Sequence, residues 1–147
     1  MRKEPLATAN NSDDIKDLND ALGLIEVLSF DAQSTRIRIE YEARPAFCHS
    51  GGVVQGGFIT GWIDSAMAHA VMLSTDYAQS PLSLEIKITF LKSAAPGRVF
   101  AEAWIEKRGR SIAFLEGQLF DEAGELLAKG SSTAKLVAIP GAIAAAN

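Results

Sequence analysis

Gln55-Gly56-Gly57-Phe58-Ile59-Thr60-Gly61-Trp62-Ile63-Asp64-Ser65-Ala66-Met67-Ala68-His69-Ala70 is the stretch that decides the fold. A glycine pair opens an otherwise apolar run, and one carboxylate sits about two turns inside it. The run goes on to Ser74 and is rich in small residues, Gly61, Ala66, Ala68 and Ala70 among them. Apolar almost all round, it predicts a long helix from about Gly56 to Ser74, buried inside the molecule rather than laid on its surface. Paired glycines at a helix start leave backbone N–H groups bare, and these carry the positive end of the helix dipole. An acid farther along the same helix completes an acyl-transfer layout: donors for an oxyanion, plus a nucleophile or base.

The flanking sequence supplies a sheet to bury that helix. Upstream, Leu24 to Phe30 and Thr35 to Tyr41 read as strands, the second with Ile37, Ile39 and Tyr41 on one face. Before them, Ser12 is placed to cap a short helix carrying Ile15, Leu18 and Leu22 and stopped by Gly23. The loop from Glu42 to Val54 holds Pro45, His49, Gly51 and Gly52. Downstream, Ser83 to Leu91 alternates, with Leu84, Ile86, Ile88 and Phe90 set against Ser83, Glu85, Lys87 and Thr89. Arg98–Lys107, Ser111–Phe120 and Glu125–Val137 follow, joined by turns at Arg108-Gly109-Arg110 and Asp121–Gly124, so that four strands are expected in meander. The economical fold is α+β: an antiparallel β-sheet wrapped around one long central α-helix. One domain is expected over 1–147, with 1–11 and 140–147 flexible. A helix buried on nearly all sides also predicts a partner subunit over its open part, hence a dimer.

Composition narrows the function. The net charge is −4, and no basic stripe appears, which argues against nucleic acid. The single cysteine, Cys48, precludes an internal disulfide framework and suits a reducing compartment. No apolar segment follows Met1-Arg2-Lys3, and the run Phe58–Leu73 holds Asp64 and His69 and is too short for a bilayer. A cytoplasmic protein that does not enter membranes is expected. No metal-ligand spacing, phosphate loop or dinucleotide fingerprint occurs, so neither a metal nor a cofactor is expected.

From Ala46 to Lys135 the chain resembles the hotdog-fold acyl-CoA thioesterases, in particular the phenylacetate-degradation (PaaI-type) branch. The resemblance rests on Gly56, Gly57 and Asp64, on the strand Ser83–Leu91, on the turn Pro96-Gly97 and on the late hairpin Arg108–Phe114. It implies hydrolysis of an acyl or aryl thioester of CoA, without a cofactor, by a homodimer or dimer of dimers with the active site at the subunit interface. It also implies roles. Asp64 matches the acid that attacks the carbonyl or activates water, and Gly56 the residue whose N–H holds the thioester oxygen. Gly57 adjoins it. Gln55 stands where the family commonly has histidine, and His49 where it has the asparagine or glutamine that orients the nucleophile or water. Ser83 matches a strand hydroxyl on the water side. Arg108 and Arg110, with Lys107, are basic side chains suited to the CoA phosphates.

Other residues read more plainly. His69, five residues after Asp64, falls on a different helix face and reads as structural. Phe58, Trp62 and Met67 suit either an acyl pocket or the core. Two rival activities fit the same scaffold. The pair His49 and Asp64 suits a β-hydroxyacyl dehydratase or enoyl hydratase, and Gln55, which takes up no proton, suits a non-catalytic acyl-CoA-binding protein.

Overall fold

The computed structural model describes residues 15–141. Among them the order is α1 (Leu18–Ala21), β1 (Leu24–Asp31), β2 (Arg36–Ala43), one 3-10 turn (Pro45–Phe47), β3 (Cys48–His49), β4 (Val53–Val54), α2 (Gly56–Ser74), β5 (Gln79–Phe90), β6 (Gly97–Arg108), β7 (Ile112–Asp121) and β8 (Leu126–Ala138). Six strands form one antiparallel sheet in the order β1-β2-β6-β7-β8-β5, wrapped around α2, while β3 and β4 form a separate small hairpin. This is the α+β hotdog arrangement that the resemblance implies.

Three expectations change. The first helix is only four residues long and is capped by Asp17, whose side chain accepts from the Asp20 N–H. The cap expected at Ser12 and the flexible stretch expected at 1–11 lie outside the described residues, as does most of the stretch expected at 140–147. The meander covers only β6, β7 and β8; β5 pairs with β8 and forms the far edge of the sheet. And α2 is not buried on nearly all sides. Ile59, Trp62, Ile63, Ala66, Met67, Ala70 and Val71 form one buried stripe against the sheet, and most of its other side chains are half-covered.

The depth and rotation of α2 follow from specific neighbours. Gly117 on β7 and Gly130 on β8 are register partners beneath the helix. A Cβ on Gly117 would lie 2.7 Å from Ile63 Cγ2, and one on Gly130 would lie 2.5 Å from Ile88 Cδ1. The two glycines therefore form a trough into which Ile63 drops. Two hydrogen bonds then fix the helix about its axis. Trp62 Nε1–H donates to the Leu22 carbonyl at 2.7 Å, and the Tyr41 hydroxyl donates to Ser65 Oγ at 2.9 Å. Ile37, Ile39 and Tyr41, the face expected of the second strand, are buried beside it.

The strand that carries Ser83 does not alternate strictly. A bulge between Ser83 and Glu85 shifts the register by one residue. Ser83 therefore lies on the helix side of the sheet together with Ile88 and Phe90, which strict alternation would place opposite it. Buried Ser132 on β8 donates to the Glu85 carbonyl at 2.8 Å and anchors the irregular backbone.

The trough predicts the cost of filling it. Gly117→Val forces the helix off the sheet and lowers stability by about 1–3 kcal/mol, the usual penalty for overpacking a core. Urea unfolding reads this as a lower midpoint, and Ile63→Ala in the same chain recovers part of the loss. An unchanged midpoint in Gly117→Val would show that the close approach does not constrain the helix.

Candidate functional site

Gln55 starts α2. Its backbone is extended, and its side-chain Oε1 accepts from the Gly57 N–H at 2.7 Å. The Phe58 N–H donates to the Gln55 carbonyl at 3.0 Å. Of the first helical donors this leaves the Gly56 N–H without a protein partner among the described residues. A Cβ on Gly57 would lie 2.6 Å from Gln55 Oε1, and one on Gly56 would lie 3.1 Å from the ring of Phe90. Gly56 lines a largely apolar cleft of about 360 Å³ with Val53, Val54, Ile59, Phe90 and Leu91. A free amide at a helix N-terminus, beside an apolar wall, suits the oxygen of a bound carbonyl.

Asp64 lies in a second cleft, of about 310 Å³, between α1, α2 and the start of β5. It is half-buried, and its Oδ1 accepts from the Ser83 hydroxyl at 3.0 Å. The sequence suggests a carboxylate walled in by apolar neighbours; the fold gives it a polar partner across the bulge. Ser65, His69 and Ser80 line the same cleft, with Leu22 and Met72 as apolar walls. His69 lies on a different face of α2 from Asp64, as the sequence predicts, and its Nδ1 donates to the Ser65 carbonyl of its own helix at 2.8 Å. The cleft runs along the helix and spans more of its circumference than a single stripe, so residues of both faces line it. Tyr41 backs the cleft through Ser65. Burial pushes its phenol far above the ordinary tyrosine range, so its proton stays in the bond to Ser65.

The other singled-out residues lie elsewhere. His49 is exposed on β3, and its Nδ1 donates to the Ser50 carbonyl at 3.0 Å. It does not line the cleft of Asp64, so the pair on which the dehydratase reading stands is not assembled in one chain. Arg108 is exposed and its guanidinium bonds the Gln79 side chain at the start of β5; Arg110 is exposed in the adjoining turn. Trp62 and Met67 belong to the core, and Phe58 stacks on Phe47 with ring centroids 4.1 Å apart. Among the described residues no His, Cys, Asp or Glu cluster is arranged to hold a metal, and no helix is long and apolar enough to cross a membrane.

Gly56 and Asp64 are eight residues apart on one helix, a rise of about 12 Å, and they line different clefts. A single thioester carbonyl spans far less. The amide and the carboxylate therefore do not meet at one carbonyl within a single chain.

Comparison with known proteins fits this architecture. The model of the Thioesterase superfamily matches residues 51–128, more than half of the chain. A provisionally named esterase of Saccharolobus solfataricus is 28% identical over 105 residues, which are 71% of this chain and 74% of that protein. The crystal structure of a provisionally assigned thioesterase, a phenylacetic acid degradation-related protein from Ralstonia eutropha JMP134, superposes with a TM-score of 0.75 at 27% identity, covering 80% of this chain and 88% of that one. A Streptococcus mutans UA159 protein crystallised with acetyl CoA shares the fold, with a TM-score of 0.68 at 18% identity over 77% of this chain and 88% of its own. The matched residues take in the glycine pair, all of α2 and the bulged strand, and on that footing the chain belongs to the Thioesterase superfamily.

Proposed function

We propose that this chain hydrolyses an acyl-CoA thioester to the free acid and CoA, without a cofactor, in a site shared by two copies. The observation that carries the reading is the 3.0 Å hydrogen bond from Ser83 to Asp64, which steadies a carboxylate inside a cleft. Hydrolysis of a thioester needs a polarised carbonyl, a positioned oxygen and shelter from stray water. The Gly56 N–H is the donor to the carbonyl oxygen and meets the charge that grows on it in the tetrahedral intermediate. Asp64 delivers oxygen to the carbonyl carbon, either its own or that of a water it holds. The thiolate is a good leaving group and needs little acid assistance.

The separation along α2 supports a second copy. In a two-fold assembly, Gly56 of each protomer serves Asp64 of the other, and the exchange generates two equal sites. The edge strand β5 supports the same reading. It carries Leu82 and Leu84, 56% and 62% exposed, beside the site, an apolar surface suited to a partner. The CoA moiety is supported by the acetyl CoA held in the Streptococcus mutans structure of this fold. Arg108 lies beside the start of β5, the strand of Ser83, and with Arg110 offers charge for the phosphates. Gln55 acts through Gly57, by fixing the helix start that presents the Gly56 amide. His49 is the solvent-facing group on the neighbouring hairpin.

Thiol release from short, medium and aromatic acyl-CoAs tests the activity. Asp64→Asn is expected to lower kcat by about 100-fold or more with an unaltered far-UV spectrum; undiminished turnover in this variant refutes Asp64 as the catalyst. Ser83→Ala removes one hydrogen bond to the carboxylate and lowers kcat by about tenfold. With a crotonyl thioester, free thiol and no hydrated product should form, the outcome opposite to that of a hydratase.

A further inference from the structure

The ring of Phe90 rests against the first residue of α2. A Cβ on Gly56 would lie 3.1 Å from Phe90 Cζ and 3.3 Å from Cε1. Phe90 is nonetheless 54% exposed, and with Val53, Val54, Ile59 and Leu91 it walls the cleft that Gly56 opens onto. A phenyl ring left half in water forgoes burial that an apolar ligand restores. The exposed leucines assigned above to a partner lie elsewhere on the strand: Leu84 and Phe90 are six residues apart on β5, about 20 Å.

The polar groups around this cleft are largely spent. The Val54 N–H donates to the Ala94 carbonyl at 2.9 Å, and the N–H groups of Leu91 and Lys92 both donate to the Leu127 carbonyl, at 2.8 and 3.0 Å. The Lys92 ammonium is paired with the Glu125 carboxylate. The Gly56 N–H and the Ser93 hydroxyl remain. The two amides of a pantetheine arm, buried here, would lack partners for most of their donors and acceptors, and each unmade bond is costly. A hydrocarbon chain meets no such cost. A carbonyl oxygen bonded to the Gly56 N–H sits about 2.9 Å from that nitrogen, so the carbons attached to the carbonyl begin beside the ring. The volume of about 360 Å³ is near the lower end for ligand pockets, and this suits a short or medium chain rather than a long fatty one.

We propose that Phe90 is a specificity-determining residue: its ring is the wall on which a short or medium aliphatic acyl chain packs once the carbonyl is held at Gly56. The inference rests on the thioesterase reading above and names the substrate class of that site. Selectivity then comes from apolar contact behind the carbonyl, and the CoA arm leaves the site by another path.

The test uses the full chain and compares kcat/KM for acetyl-, hexanoyl- and palmitoyl-CoA in the wild type, Phe90→Ala and Val53→Phe. The wild type should prefer hexanoyl-CoA to both others. Phe90→Ala should lower the preference for hexanoyl over acetyl by about tenfold, the scale of a methylene group in an apolar pocket. Val53→Phe fills the same cleft from the hairpin and should lower that preference too. Inhibition by free CoA should be equal in all three proteins, and sedimentation should show one oligomeric state. Neither side chain belongs to the buried core, so both variants should keep the wild-type far-UV spectrum. An unchanged preference in Phe90→Ala overturns the proposal. If free CoA then inhibits less, the cleft holds the CoA arm; if the oligomer dissociates instead, a second copy covers the ring. A wild type that hydrolyses palmitoyl-CoA best also overturns it. A wild type that releases no thiol from any acyl-CoA overturns the thioesterase reading, and this role with it.

Discussion

How deeply α2 sits on its sheet sets where the Gly56 amide and the Asp64 carboxylate are found. The helix drops into a trough made by Gly117 and Gly130, and side chains at either position would lift it. The bonds from Trp62 to the Leu22 carbonyl and from Tyr41 to Ser65 then stop it rotating. Depth and rotation together aim Asp64 at β5 rather than into the core or into open water. The bulge does the reciprocal work on the strand by bringing Ser83 onto the helix side. Packing density makes such an arrangement stiff, because a shift of one methyl group in a filled core is already resisted. The Ser83–Asp64 contact is thus a consequence of core packing, and substitutions far from the cleft should reach the chemistry through α2.

The same helix separates what it positions. Its N-terminus presents the Gly56 amide to one cleft, and its third turn presents Asp64 to another. A rigid helix cannot fold back to join them. The proposed two-fold assembly would resolve this without any change of shape, each copy supplying what the other lacks. On this reading the exposed apolar side chains of β5 and the half-covered side of α2 have one explanation in common.

Much of this architecture was legible in the chain. The bounds of α2 are sharp because glycines open it and its apolar run is long, and the face of β2 is read directly from Ile37, Ile39 and Tyr41. What was not legible was non-local. Nothing in β5 itself says that it pairs with β8 rather than β6, because pairing partners are chosen by the closed sheet. The bulge is a one-residue slip in a strand that alternates well on paper, and it appears only when Ser132 and Asp64 claim opposite ends of the segment. His69 sits on a different face of α2 from Asp64, as a helical projection says, although the cleft formed with α1 and β5 gathers residues from both faces. The short α1, capped by Asp17, was overextended because hydrophobic spacing alone does not say where a helix begins.

The most direct measurement of the shared site is complementation between two inactive chains. Asp64→Asn removes the carboxylate. Gly56→Pro removes the amide hydrogen at the first helical position, where proline is well tolerated, and the extended backbone of Gln55 suits a following proline. Each variant alone should be nearly inactive. Unfolded together and refolded as a mixture, they should regain about a quarter of wild-type thioesterase turnover, because half of the dimers are mixed and one site in each of these is intact. A mixture no more active than its parents, with mixed dimers demonstrably present, would contradict a site built from two copies.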